Sequence, residues 1–562
     1  MAFPLPFSFA FSPWPTGLPL LWLISLAVML ASGLLLSNTR HVALHARIAL
    51  LPALLAILLA LLSARNTPYP LAVSGAPLAW LMASLILGLG AIVQHFSVRF
   101  LQGDRDQPRA LLWFSVLTAS AALCWLQHDL RLMLLAWGAA LHALTNLIGL
   151  TRDWTAARAA RRRAGRWLSL AWLALAGLIV LNAWEIGGWQ LDQWQPERWQ
   201  AWAQQLGAAL LLIAVLIPAA QWPVQRWLME SMVAPTPVSA IMHAGMVNAG
   251  GVLLLYFGSL LALADWARAL LLLLAIASIV TGCGMALVQA DIKRQLAAST
   301  VAQMACMLLQ IALGAYLAAI VHLVLHGLFK AALFLQAGGA PQGVGGVNKT
   351  PSAGEYGAMA ESNTAATGAT LVTLQATTSG RARGLIASLR QHGRMLASAG
   401  AVVLTLLVLA MLMLWPAGAA LLRQQAGPVL ASLDAASVVP NLILLLALLQ
   451  SLPLLARQWT QWRVWRTLLL ALGGMFACQW LLHQLLGNTL PAAPALAPVW
   501  MWAALGLLLA GTLLLSLARR LMHQAWARRL YWHFVAASEA DGATQDAHPA
   551  YLAHRLQQGV PA

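Results

Sequence analysis

The stretch Ala319-Ile-Val-His322-Leu-Val-Leu-His326-Gly-Leu-Phe-Lys330-Ala-Ala-Leu-Phe-Leu335 decides the fold class. Apart from Gly327 and three titratable side chains it is wholly apolar, and steps of four put His322, His326 and Lys330 on one face of a helix. Each step rises about 6 Å, so the three form a ladder about 12 Å long, roughly a third of a bilayer core. Lysine is rare here: of the 33 Lys+Arg residues only Lys293, Lys330 and Lys349 are lysines. An ammonium within an apolar span costs several kcal/mol unless it is paired, hydrated or neutral, so ionisable residues at such depth default to a functional reading. A lone histidine there would more often satisfy a neighbouring helix's carbonyl; two histidines and a lysine in register suit proton transfer.

Composition sets the solvent. The chain has 562 residues, 61% hydrophobic and 9% charged, whereas an ordinary soluble domain is about 25% charged. Apolar runs of about 20 residues recur along nearly the whole length, which predicts an all-α polytopic membrane protein with about fifteen transmembrane helices. The expected spans are 18–37, 45–64, 77–98, 109–127, 130–151, 167–187, 206–222, 237–263, 268–290, 297–314, 316–337, 397–416, 437–456, 466–487 and 498–519. No basic residue precedes the first, and no A-x-A site follows it, so it does not read as a cleaved signal. The net charge of +17 is carried by arginines in short loops between apolar runs. That arrangement is topology signal rather than a grip on nucleic acid. Alternate loops are basic (Arg40 and Arg47; Arg99, Arg105 and Arg109; Arg152 to Arg166; Lys293 and Arg294; Arg457, Arg463 and Arg466), while a loop between them carries Glu185, Asp192 and Glu197. The positive-inside rule then puts the N-terminus outside and the C-terminus in the cytoplasm of a bacterial inner membrane.

The organisation follows from these runs: 1–205 N-terminal transmembrane helices, 206–338 the helices with the His/Lys ladder, 339–395 a cytoplasmic Gly/Ser/Thr-rich loop, 396–520 further transmembrane helices, and 521–562 a cytoplasmic amphipathic tail. Trp184, Trp189, Trp194, Trp199 and Trp202 cluster near span ends as an aromatic belt, and 188–203 reads as an interfacial helix. The tail opens with Arg519-Arg520-Leu-Met-His-Gln-Ala-Trp-Ala-Arg528-Arg529-Leu-Tyr-Trp, suited to the membrane surface, a groove on a partner, or plain anchoring. The four cysteines lie in separate apolar segments and read as small buried residues without disulfides. No Gly-rich phosphate loop, cysteine array or His/Cys/Asp set at ligand spacing is legible, so no cofactor and no metal are expected.

Three further segments name a family. Ala220-Gln221-Trp222-Pro223, then Ala234-Pro-Thr-Pro-Val-Ser-Ala-Ile-Met-His243-Ala-Gly-Met-Val-Asn248-Ala-Gly-Gly251, then Ala286-Leu-Val-Gln-Ala-Asp291-Ile-Lys293-Arg294-Gln-Leu-Ala-Ala-Ser299-Thr300, resemble the antiporter-like subunits of respiratory complex I. The match is dense from about 219 to 338, and the run from Ala234 to Gly251 resembles in particular the membrane subunit of the DAB inorganic-carbon-accumulation system. The resemblance implies an antiporter-like core with broken helices and a central proton relay through Lys330, His326, His322, His243 and Asn248. Read physically, Thr236-Pro237 starts a helix as N-cap and N1 with His243 about two turns in. Asn248 and Gly250-Gly251 are polar or small enough for close helix contact or a hydrated gap. His243 could equally be a structural hydrogen-bonding residue. Asp291 and Lys293 mark a cytoplasmic access point, or only loop charge, and Ser299 and Thr300 could cap the next helix or line a polar entry, with capping alone enough to explain them.

The chain departs from the family at two positions. Its members usually carry a Glu after the tryptophan of the fifth span and a Lys in the seventh; here Gly138 follows Trp137 and Pro218 stands in Val215-Leu-Ile-Pro218-Ala. Neither can hold charge, and the proline leaves a carbonyl unpaired and bends the helix. His142, one turn beyond Gly138, is a candidate substitute. Three functions compete. The first, which the resemblance implies, is a proton- or Na+-conducting subunit of a carbon-concentrating CO2/bicarbonate pump, itself no enzyme, with a soluble zinc carbonic-anhydrase-like partner supplying the chemistry. Loops 152–166 and 457–466, the 340–385 loop and the tail would offer that partner its docking surface. The second is an antiporter subunit of a complex I-like or multisubunit cation/proton antiporter, and the third a non-conducting membrane anchor. Histidine suits H+ better than Na+, which prefers oxygen ligands.

Overall fold

A computed structural model of the chain describes residues 17–37, 41–65, 76–289, 291–339, 478, 481–482, 486, 506, 511 and 524–538. All elements described are helical, in chain order α1 (Gly17–Leu35), α2 (Val42–Ile48), α3 (Leu50–Arg65), α4 (Ala76–Phe100), α5 (Gln107–Leu126), α6 (Leu130–Ile148), α7 (Thr155–Ile186), α8 (Ala201–Leu216), α9 (Arg226–Glu230), α10 (Thr236–Ala244), α11 (Ala249–Phe257), α12 (Ser259–Ala262), α13 (Asp265–Val288), α14 (Ile292–Ala312), α15 (Tyr316–Gly339) and α16 (Ala525–Ser538). Helices suit this solvent because each satisfies its backbone polar groups internally, which lipid cannot do for it. Among the described residues ten segments are long and apolar enough to cross a bilayer, and the shorter apolar helix α8 makes an eleventh candidate. These correspond one for one to the eleven spans expected up to residue 337. The four expected beyond it, and the 339–395 loop, lie outside the described residues. The chain is a multi-pass membrane protein.

Burial ranks the spans. Only 39% of the apolar window is buried in each of the first two, against 94% in Thr236–Phe257 and 89% in Ile292–Ala312. The last two are therefore the centre of the bundle, and α15 packs against both. Asp129 caps α6 by accepting from the Arg131 backbone N–H at 2.8 Å, and Asp291 caps α14 by accepting from Lys293 N–H at 3.0 Å.

Several local expectations needed revision. The helix expected over 188–203 is absent up to residue 200: two 3-10 turns, Leu191–Gln193 and Pro196–Arg198, fill the gap between Gly187, which ends α7 at φ 78°, and the start of α8 at Ala201. Left-handed glycine stops a helix, and Pro196 lacks the N–H that would continue one. The basic stretch from Arg158 to Arg166 is helical rather than a loop, forming the first turns of the 32-residue α7. Thr236 is the first helical residue of α10, with Pro235 at the N-cap. Ser299 and Thr300 lie inside α14 and cap nothing.

The tail helix α16 is docked on the bundle. Phe534 is buried, and a Cβ added to Gly284 of α13 would come within 2.4 Å of its ring. Arg226 donates to the Ala536 carbonyl at 3.2 Å. The amphipathic stretch is thus at least partly spent on the chain's own core. Phe534→Ala should weaken this docking by about 3 kcal/mol, as for other buried aromatic truncations, and Gly284→Leu should do the same from the opposite side. Both variants should be cut by trypsin at Arg529 faster than the parent, and equal cleavage rates would contradict the packing.

Candidate functional site

Lys330 is wholly buried, and its Nζ donates to Ser299 Oγ at 2.6 Å and to the Leu296 carbonyl at 3.2 Å, both on α14. No ion pair of Lys330 occurs among the described residues. One turn back along α15, His326 is 3% exposed, and neither ring nitrogen has a hydrogen-bond partner among the described residues. A further turn back, His322 Nδ1 lies 3.1 Å from Gln310 Oε1 of α14. The two imidazole centroids are 6.2 Å apart with planes at 77°, too far for a direct hydrogen bond but within the reach of one bridging water.

The same face continues to Phe334, on which His243 of α10 stacks at 4.6 Å, with an interplanar angle of 20°. His243 is fully buried, and neither of its ring nitrogens has a partner among the described residues. This approach is possible because α10 and α11 are two halves of one interrupted span, broken at Gly245 and the 3-10 turn Met246–Asn248. Gly327 of α15 presses into that break, where an added Cβ would meet the Ala244 carbonyl at 2.7 Å. Asn248 Nδ2 donates to that same carbonyl at 2.8 Å, while its buried Oδ1 has no partner among the described residues. Asn248 also lines a cavity of about 20 Å³ with Gly245, Met246, Leu323, Trp125 and Trp137, room for about one water.

The structure thus brings together five of the residues singled out: Lys330, His326, His322, His243 and Asn248. It does not bring His142 to them. His142 is exposed on α6, its ring edge-on to Trp113 at 5.7 Å. The buried face of α6 is Met133, Trp137, Ala140 and Leu144, and a residue two positions past Ala140 lies on the opposite side of a helix. Asp291 is exposed at its cap, and Lys293 folds back so that Nζ donates to the carbonyls of Met232 and Ala234 at 3.1 and 2.7 Å. That contact ties the start of α14 to the turn leading into α10.

At the two departures from the family pattern the space is filled. A Cβ on Gly138 would lie 2.7 Å from the Trp172 indole nitrogen, which donates to the Leu134 carbonyl at 2.9 Å. A glutamate there would have to displace Trp172. At Pro218 the expected bend is a helix end: α8 stops at Leu216, and Ala220 takes a left-handed φ of 51°. Carbonyls in this turn gain side-chain donors, Trp227 Nε1 to Ile217 at 2.9 Å and Gln221 Nε2 to Ala219 at 2.6 Å.

Three contacts were not anticipated from the sequence: Ser299 and Gln310 as partners of the ladder, and Glu230. The Glu230 carboxylate, outside the spans, sits 2.8 Å from Arg163 in an ion pair. Burial pushes its carboxyl above the ordinary carboxylate range, against the pull of Arg163, Arg226 and Arg294.

A bundle of apolar helices, an interrupted central span and a buried His/Lys ladder define a membrane protein of the antiporter-like class. Residues 127–380 match the family described as NADH:quinone oxidoreductase/Mrp antiporter, TM. A relative from Bacillus subtilis (strain 168), named probable inorganic carbon transporter subunit DabB, is 46% identical over 332 residues, 57% of this chain and 65% of its own length. Its namesake from Bacillus anthracis is 39% identical over 337 residues, 58% of this chain and 65% of its own. The chain therefore spans just under two thirds of these relatives. Among solved structures, a chain of the Mrp complex from Dietzia sp. DQ12-45-1b is similar with a TM-score of 0.53 and 27% identity, over 58% of this chain and 38% of that one.

Proposed function

We propose that this chain conducts protons along Lys330, His326 and His322 as the membrane subunit of an energy-coupled inorganic-carbon accumulation pump. The observation that carries the reading is the Lys330 amine, wholly buried and held by a hydroxyl and a carbonyl rather than a carboxylate. A fixed structural charge in lipid would be expected to have a counter-ion; an amine that alternates between neutral and protonated forms needs only neutral partners. Each rung can accept a proton on a nitrogen lone pair and release another, with water spanning the gaps. His243 and Asn248 line the interrupted span beside the ladder and extend the polar axis toward the cavity. Lys293 and Asp291 mark the cytoplasmic end in the orientation that the positive-inside rule favours, with the N-terminus outside and the C-terminus in the cytoplasm of a bacterial inner membrane. The carbon cargo rests on the relatives named as inorganic carbon transporter subunits, and a soluble carbonic-anhydrase-like subunit would carry CO2 hydration.

The similarity to the Mrp complex favours a second reading, a subunit of a multisubunit cation/proton antiporter. Against it, Trp172 fills the place of the family's glutamate at Gly138, and α8 ends before the place of its lysine at Pro218. Affinity purification of the full chain from its own membranes separates the two. A stoichiometric soluble zinc protein that hydrates CO2 is expected, whereas co-purifying antiporter or redox subunits would support the second reading. Truncation after Ser538 keeps the docked helix α16, and it should release the partner if residues 539–562 contribute to docking.

A further inference from the structure

The helix α14 is the element against which the ladder is read, and it meets the two end rungs with neutral polar side chains. Ser299 Oγ takes a hydrogen bond from Lys330 Nζ at 2.6 Å, and Gln310 Oε1 lies 3.1 Å from His322 Nδ1. The residues are eleven apart, about three turns, so both project from one side of the helix. The middle rung is different: among the described residues His326 has no partner on either ring nitrogen. Gln310 is wholly buried in the bundle interior, where a polar side chain is costly without a specific use.

We infer that Gln310 and Ser299 are positioning residues that fix where the protons sit on the ladder, an inference that rests on the conduction reading above. An amide oxygen only accepts, so the proton of neutral His322 is held on Nδ1. Nε2 is then left as the basic nitrogen, ready to take a proton along the chain. Ser299 holds the Lys330 amine at a fixed place while its own hydroxyl proton turns elsewhere. His326, pinned by neither, is the rung that turns between them, accepting on one nitrogen and releasing from the other. The ladder would then have two oriented ends and one mobile carrier, with the orientation supplied entirely by the neighbouring helix.

The test uses the full-length chain in liposomes, with two readouts on wild type, Gln310→Leu and Gln310→Glu. The first is the 15N spectrum of histidine-labelled protein, with the His322 signals assigned by their loss in His322→Gln. The second is proton flux under an imposed potential across a range of pH. Wild type should show His322 as the Nδ1–H tautomer. Gln310→Leu should lose that preference and at least about tenfold in flux, the scale of losses seen when an orienting partner is removed. Gln310→Glu keeps an acceptor, so it should keep the tautomer and much of the flux, with the flux profile moved to higher pH because a carboxylate favours the imidazolium. The other titratable groups along the elements around His322 are His326 and Lys330 on α15, His243 on α10, Cys306 on α14, and Tyr316 with Arg268 and Asp265 where α15 begins; all are unchanged in both variants. An Nε2–H tautomer in wild type would overturn the inference, as would a Leu variant that loses flux with the His322 tautomer intact, or one that keeps both. Absence of flux in wild type would instead defeat the conduction reading, and the tautomer readout would still decide the positioning.

Discussion

Replacing Lys330 with alanine should leave the protein inserted and monodisperse while lowering proton flux by at least about a hundredfold, the lower range for loss of a positioned proton-transfer group. The amine's partners are the Ser299 hydroxyl and the Leu296 carbonyl, both able to relax onto water or backbone once it is gone. Lys330→Arg should fail as completely. A guanidinium cannot release its proton in a protein, and its planar fork does not reproduce the compact contact with Ser299 and Leu296. Flux through liposomes containing each purified variant measures this directly. An arginine variant with wild-type flux would show that a permanent charge suffices, which the exchange role does not allow.

The second large effect concerns the two histidines. Glutamine keeps hydrogen bonding but cannot titrate, so His322→Gln and His326→Gln should each reduce flux by at least about tenfold. The double variant should lose little beyond the worse single one, because a chain broken at one rung is already broken. His326→Gln should be the more damaging of the two, since among the described residues its ring, unlike that of His322, has no hydrogen-bond partner and it stands between the others. Fully additive losses, read from the same flux assay, would indicate damaged packing between α14 and α15 instead.

Much of this arrangement was legible in the chain itself, for physical reasons that also explain the misses. Period-four spacing exposes His322, His326 and Lys330 because a helix repeats nearly every four residues, and apolar runs expose the spans because lipid admits little else. Contacts between helices are harder to see. Ser299 and Gln310 look like ordinary polar residues until the antiparallel course of α14 and α15 sets the one opposite Lys330 and the other opposite His322. The loss of charge at Gly138 could be read directly, yet the residue that takes the space, Trp172, is supplied by the next helix. His142 lies close to Gly138 along the chain but on the other side of the helix, since the buried face of α6 points the other way.

The interrupted span is the part of the family pattern this chain keeps most fully. Gly327, Asn248 and the break at Gly245 bring His243 against the ladder's own face, while the Gly138 and Pro218 positions are closed off by Trp172 and by the end of α8. What remains is one continuous set of titratable groups on α15 rather than a pair of linked ones.

Proton movement through the intact protein is therefore the most direct test of the account. Liposomes holding the wild-type chain and a trapped pH dye, driven by a potassium diffusion potential, should acidify inside faster than empty liposomes. That acidification should be unchanged when Na+ is removed and should be lost in His326→Gln. No acidification by a well-folded wild type, with its partner present or absent, would contradict the claim that the buried ladder conducts protons, as would acidification that His326→Gln leaves intact.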